Sequence, residues 1–242
     1  MDLILITGDT HGDLSRLKGA SFRASHTKKP RKGDTLIICG DFGFLWDGSE
    51  KEKAALKKLS KKKYRILFVK GTHENFDLLE GYPLVEFAGG MARKLASNIF
   101  CLENGYFFSL DGTDLYACGG GESPDKLIRM DAGSYDHREL PSEEEVFRAD
   151  NRYFTHPLND KGLRADIIVT HDAPTKIRNL IDLNNKEMHH LHAHFDRISQ
   201  EGKFGVWYFG RHHLDRKISS QFYGVFRGIL TAVPRKKRRR GK

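Results

Sequence analysis

The sequence predicts an α/β domain with a mixed sheet system. Three observations carry that reading. Apolar runs of strand length alternate with helix-patterned segments through the first third of the chain, Asn-Gly and Asp-Gly turns divide the middle, and no linker splits the body. The 242 residues, 38% hydrophobic, are ample for a core.

The elements follow in order. "LILITG" (3–8) is a short apolar run ending at Gly-Asp, and "DLSRLKGAS" (13–21) has a helical pattern. "DTLIICGD" (34–41) is a second buried strand, again closed by Gly-Asp. "SEKEKAALKKLSKKK" (49–63) is a helix, with Ser49 and Glu52 spaced as a capping box. "RILFVKG" (65–71) is a third strand. Such continuous apolar runs are the mark of parallel strands buried on both faces.

From Met91 to Cys118 short runs are separated by Asn104-Gly105 and Asp111-Gly112, both hairpin signals. "PSEEEVFRADNRYF" (141–154) returns to helix, with Ser142 and Glu145 as a second capping box. "ADIIVTHDAP" (165–174) is strand then loop. "EMHHLHAHFDRIS" (187–199) carries Leu191, Phe195 and Ile198 at helical spacing. "GVWYFGRHH" (205–213) is a strand, and 217–233 is strand-rich. Residues 1–233 read as a single domain.

The formal charge is +9, and residues 234–242, "PRKKRRRGK", hold seven of the Lys and Arg, leaving 9 − 7 = +2 for the rest. A like-charge run of this kind repels itself and is expected to be disordered. It can make weak, salt-dependent contact with nucleic acid. Cys39, Cys101 and Cys118 form no C-x-x-C pair and read as buried thiols of a reducing compartment. The apolar start is too short for a signal peptide, and no segment approaches the roughly 20 apolar residues of a membrane span. A cytoplasmic protein is expected.

Polar groups gather at the ends of the apolar strands. Asp9 and His11 lie in "GDTHGD", Asp41 in "GDFG", His73 and Glu74 in "GTHE", His171 in "THDAP", and His212 and His213 in "GRHH". If the strands lie side by side, these ends converge. Carboxylates with imidazoles and no thiolate form a ligand set for hydrolytic divalent metals such as Mn, Fe or Zn.

In that order the five blocks resemble the signature blocks of calcineurin-like metallophosphoesterases, and "GTHENFDLLEGYP", "GGGESPDK" and "RELPSEEE" resemble a small bacterial and phage-associated subgroup. The resemblance implies a four-layer fold, two mixed sheets packed together with helices outside. It implies hydrolysis of phosphate mono- or diesters at two metals about 3.5 Å apart, bridged by an aspartate and an attacking hydroxide. By position, Asp9, His11 and His213 would hold the first metal, Asp41 would bridge, and His171 would hold the second. His73 would protonate or steady the leaving group. Glu74 reads as a support rather than a ligand.

Two positions depart from the family pattern, both on the second metal. Thr72 stands where the family has an Asn ligand, and Arg211 where it has a His ligand. Thr72 keeps a poorer oxygen donor. Arg211 cannot ligate, because its guanidinium stays protonated, yet it is a strong phosphate binder. The expectation is one or two ions, with the second site weakened and Arg211 serving as catalytic cation and phosphate clamp. Activity should then be attenuated. The rival reading is an impaired relative that binds phosphate or nucleic acid.

His212 occupies the variable position of its block and is expected to point away. Lys126 and Arg129, in the glycine-led loop 119–129, are candidate substrate contacts or plain loop residues. His190 and His194 have the spacing of a zinc pair, but a solvated helix face is the expected reading. The lysines of 57–65 read as the wet face of a helix.

Overall fold

The computed structural model describes residues 2–183 and 188–233. The basic segment 234–242 lies outside the described residues. Along the chain run the strands β1 (Ile4–Thr7), β2 (Thr35–Ile38), β3 (Arg65–Val69), β4 (Leu84–Phe87), β5 (Gly90–Ala96), β6 (Ile99–Leu102) and β7 (Tyr106–Ser109). They continue as β8 (Asp114–Cys118), β9 (Ala165–Thr170), β10 (Phe204–Phe209), β11 (Arg216–Lys217), β12 (Phe222–Gly224) and β13 (Ile229–Val233). The α-helices are α1 (Gly19–Ala24), α2 (Glu50–Ser60), α3 (Phe76–Glu80), α4 (Lys126–Asp131), α5 (Glu143–Thr155), α6 (Thr175–Ile181) and α7 (His190–Glu201).

The strands form two mixed sheets. One has the order β13-β1-β2-β3-β6-β5-β4 and the other β11-β12-β10-β9-β8-β7. β1, β2, β3 and β6 are parallel neighbours, while β13 pairs antiparallel with β1. In the second sheet β8, β9, β10 and β12 are parallel.

Alternation along each strand builds the layers. Ile37 of β2 and Leu67 and Val69 of β3 point between the sheets, where they meet Ile167 and Val169 of β9 and Tyr208 of β10. Their neighbours Leu36, Ile38, Ile66 and Phe68 pack outward with Phe22 of α1 and Leu59 of α2. On the far side Ile168, Trp207 and Phe209 pack with Tyr153 of α5 and with Leu191, Phe195 and Ile198 of α7. Each central strand therefore feeds two cores, which is why its sequence is continuously apolar. The four-layer architecture is as expected.

Local signals mostly act as read. Ser142 and Glu145 form the full capping box of α5. Ser49 caps α2, but the Glu52 carboxylate instead accepts from the backbone N–H groups of Trp46, Asp47 and Gly48. Asp111-Gly112 makes the β7–β8 hairpin, with Leu110 and Thr113 exchanging backbone hydrogen bonds. Asn104-Gly105 does not make a hairpin. It carries the chain from β6 in one sheet to β7 in the other, with Asn104 Oδ1 accepting from the Gly119 N–H at 2.7 Å. The helix expected at 13–21 is broken at extended Lys18 into a 3-10 turn, Leu14–Leu17, and α1.

Candidate metal centre

The turns after β1, β2 and β3 bear Asp9, His11, Asp41, Thr72 and His73. Those after β9 and β10 bear His171, Asp172 and residues 211–213. Because these strands are parallel neighbours in two facing sheets, their C-terminal ends meet. The turns are sharp. Of the seven non-glycine residues with positive φ among those described, four are His11 (44°), Asp41 (41°), Arg211 (38°) and His213 (48°). Such conformations cost on the order of 1–3 kcal/mol each and cluster where a site demands them. Two glycines permit the close approach. A Cβ on Gly40 (φ 101°) would lie 2.0 Å from His171 Nδ1, and one on Gly71 would lie 2.0 Å from Asp41 Oδ1.

Two donor groups share Asp9: Asp9 with His11 and His213, and Asp9 with Asp41 and His171, each with its ligand atoms within 4.8 Å of one another. His11 Nε2 and His213 Nε2 approach to 3.2 Å, and His213 Nε2 lies 3.1 Å from Asp9 Oδ2. Burial lowers the His11 imidazole despite the carboxylates of Asp41 and Asp9. A hydrogen bond to Asp9 raises His213.

His171 is fully buried, and its Nδ1 lies 3.0 Å from the Cys39 carbonyl. A carbonyl only accepts, so Nδ1 donates to it, and the ring turns Nε2 toward the carboxylates. That Nε2 sits 3.7 Å from Asp41 Oδ1 and makes no hydrogen bond. Asp9 is fully buried too, with His213 Nε2 3.1 Å from its Oδ2. Buried polar atoms without partners are costly. An imidazole steadied through its other nitrogen and aimed at carboxylates is how histidine is presented to a metal. The residues fit a divalent cation.

Asp41 also organises the third turn. Its Oδ1 accepts from the His73 backbone N–H at 2.8 Å, and its Oδ2 lies 3.1 Å from His73 Nδ1. Burial works to raise the Asp41 carboxyl, but the His171 and His73 imidazoles outweigh it and hold it low. The hydrogen bond to Asp41 raises His73. The Thr72 hydroxyl lies 3.1 Å from that same His73 Nδ1. Its methyl and an Arg211 guanidinium nitrogen both face Gly121. Glu74 is buried beneath, accepting from the Phe42 N–H at 2.9 Å, and burial with the nearby Asp41 charge pushes it up to about 8.

Arg211 lies on the same side as the Thr72 methyl. Its backbone N–H donates to Asp9 Oδ1 at 3.3 Å, while its guanidinium donates to Asp172 and to the Glu122 carbonyl. Asp172 is fully buried. Around its carboxylate stand Arg211, Arg178 at 3.3 Å, His192 at 3.0 Å and His212 at 3.1 Å. Burial works to raise Asp172, and these cations and hydrogen bonds overcome it, keeping it far below the usual carboxylate range. His212 is thus turned to the Asp172 carboxylate. Asp172, His189 and His192 also approach as a third donor group, but two guanidiniums on the same carboxylate oppose a cation there.

Lys126 pairs with Glu122 at 2.6 Å. Arg129 is buried and donates to Glu139 at 2.8 Å, Ser123 at 2.6 Å and the Thr72 carbonyl at 3.3 Å. The solvated histidine face is not what forms. His192 and His194 are buried, and His194 bonds Asp150 at 2.9 Å and the Tyr116 hydroxyl at 2.8 Å. His190 bonds the Pro141 carbonyl instead, so the zinc pair does not form. Sequence reasoning missed Asp172. Its only signal was its place beside His171, because Arg178 and His192 reach it from α6 and α7 through tertiary packing.

A carboxylate–imidazole centre at the joined strand ends of a two-sheet α/β sandwich defines the class of metal-site hydrolases. Within it, the chain belongs to the calcineurin-like phosphoesterase family, whose model matches residues 3–214. No curated protein matches the sequence. Among solved structures it is similar to a Staphylococcus aureus protein assigned as a 5'-nucleotidase, in complex with alpha-ketoglutarate, at 14% identity and TM-score 0.49. That match covers 94% of this chain and 49% of the other, so the chain spans about half the length of that relative. It is also similar to the phosphopantetheinyl hydrolase of Mycobacterium tuberculosis, at 14% identity and TM-score 0.43, over 93% of this chain and 89% of that one. Among the described residues no helix is long and apolar enough to cross a membrane.

Proposed function

We propose that the protein is a divalent-metal-dependent hydrolase of phosphate mono- or diesters, formed by one domain over residues 1–233. The observation that carries this is the buried His171 Nε2, which makes no hydrogen bond and faces Asp41, in one donor group with Asp9. Asp9, His11, Asp41 and His213 hold the principal ion, and His171 stands on the second side. A bound ion there supplies Lewis acidity to water and to the phosphoryl oxygens. Asp41 orients His73 through its backbone N–H and Nδ1, leaving Nε2 to give a proton to the leaving group. Thr72 completes this bond network with its hydroxyl and contributes little as a ligand.

Arg211 replaces part of the second ion's charge. Asp172 fixes its guanidinium beside the centre, where it attracts the phosphoryl group. Arg129 braces the Thr72 carbonyl, and Lys126 lies at the outer rim. Manganese is the first metal to test. The three buried free cysteines fit a cytoplasmic setting. The basic residues 234–242 add weak, salt-sensitive contact with nucleic acid.

The test is turnover of an aryl phosphate monoester and diester with manganese, before and after chelation. Chelator-sensitive turnover that Asp41→Asn abolishes is the expected result. The loss of both second-site ligands favours one other reading, an impaired phosphate-binding relative. Phosphate binding without turnover, with turnover appearing in a Thr72→Asn/Arg211→His variant, would establish that alternative.

A further inference from the structure

Beside the His73 turn lies a cavity of about 360 Å³, lined by Trp46, Glu74, Phe76, Arg129, Tyr135 and Asp136 among others. Its walls grow from the turns that bear the centre. Trp46 follows Asp41 on the loop after β2, and Glu74 to Phe76 follow His73 after β3. Trp46 is held by its backbone on both sides. Its N–H donates to Glu52 at 2.9 Å, and its carbonyl accepts from Asn75 Nδ2 at 2.6 Å. Trp46 remains 44% exposed as a residue, while the other tryptophan, Trp207, is fully buried.

The opposite wall is equally fixed. Arg138 ties Asp136 at 2.6 Å to Asp77 at 2.6 Å and Glu80 at 3.0 Å of α3, closing the two walls on each other. Tyr135 lies in this wall, its ring centroid 5.4 Å from Lys126 Nζ. Arg129 lines the cavity and also donates to the Thr72 carbonyl at 3.3 Å, joining it to the turn of the centre. A rigid backbone that presents an indole to water beside a reactive centre keeps apolar area available for a ligand.

We infer that this cavity is the subsite for the leaving group, and that it takes a planar aromatic or heteroaromatic group stacked on Trp46. The inference rests on the hydrolase reading, which places His73 on the leaving-group side. The cavity's surface is mainly polar, and Trp46 and Tyr135 are among its lining residues, so a flat ring bearing polar atoms suits it better than an alkyl chain.

Two measurements test it. The first is tryptophan fluorescence of the manganese-loaded protein titrated with phenylphosphonate and with methylphosphonate. Trp46 is the exposed reporter, so phenylphosphonate quenches and methylphosphonate does not. The second is steady-state kinetics on phenyl and methyl phosphate. Trp46→Ala raises KM for phenyl phosphate about three- to tenfold, the size of one aromatic contact, and leaves methyl phosphate unchanged. Trp46→Phe restores the phenyl KM. Equal quenching by both phosphonates, or an equal change in both KM values, overturns the subsite. Selective quenching without any turnover keeps an aromatic-binding site at Trp46 but overturns its assignment to the leaving group, together with the hydrolase reading.

Discussion

Arg211 and Asp172 form a buried ion pair: the Asp172 side chain is 0% exposed and the Arg211 side chain 10%. The pair holds a fixed cation close to Gly121, which the Thr72 methyl also faces.

One consequence concerns metal content. The wild type should retain about one manganese per chain after gel filtration, and Thr72→Asn/Arg211→His about two. Elemental analysis of the purified proteins decides. Two tightly held ions in the wild type would remove the case for Arg211 as a substitute cation.

A second concerns stability. Asp172→Ala strands Arg178 and Arg211 without their shared carboxylate, and should cost about 3–5 kcal/mol. Urea unfolding measures it. The Asp172 carboxyl is held low in the fold, so its stabilisation is complete above the ordinary carboxylate range and fades as pH falls through the folded value.

His73 bears on leaving-group dependence. His73→Ala should lower kcat about a hundredfold for alkyl esters, which need a proton donor, and much less for nitrophenyl esters, which do not. A plot of log kcat against leaving-group pKa should steepen. An unchanged slope would assign His73 to binding alone.

Glu74 sets a pH dependence of the opposite sign from Asp172. Burial raises its folded carboxyl from the ordinary 4.5 to about 8. Between those values the unfolded chain gives up the proton that the folded chain keeps, so stability of the metal-free protein falls as pH rises through this window. Glu74→Gln should flatten that decline. Melting temperatures of both proteins across the window test it, and parallel slopes would exclude Glu74 as the source.

Much of this was legible in the sequence because it depends on short segments. Strand runs that end in Gly-Asp or Gly-Thr-His announced both the parallel sheets and the residues at their tips. The Ser142–Glu145 cap and the Asp111-Gly112 turn are local and formed as read. Asn104-Gly105 misled because a turn dipeptide fixes backbone angles, not which sheet receives the next strand. The histidines of α7 misled because amphipathic spacing identifies the apolar face, whereas His192 and His194 are buried by partners on other elements. Arg211 was recognised as unable to ligate, but its anchor was invisible, since Asp172 and the Glu122 carbonyl reach it only through tertiary packing.

The pairing of β13 with β1 has a bearing on folding. β13 covers the edge that β1 would otherwise expose, and Gly8 and Thr7 donate to the carbonyls of Phe226 and Gly228. His11 and His213 stand 202 residues apart yet share one donor group with Asp9. A fragment that stopped short of β13 would leave β1 as an open edge, so the centre and the closed sheet are completed together, when the two ends of the domain meet.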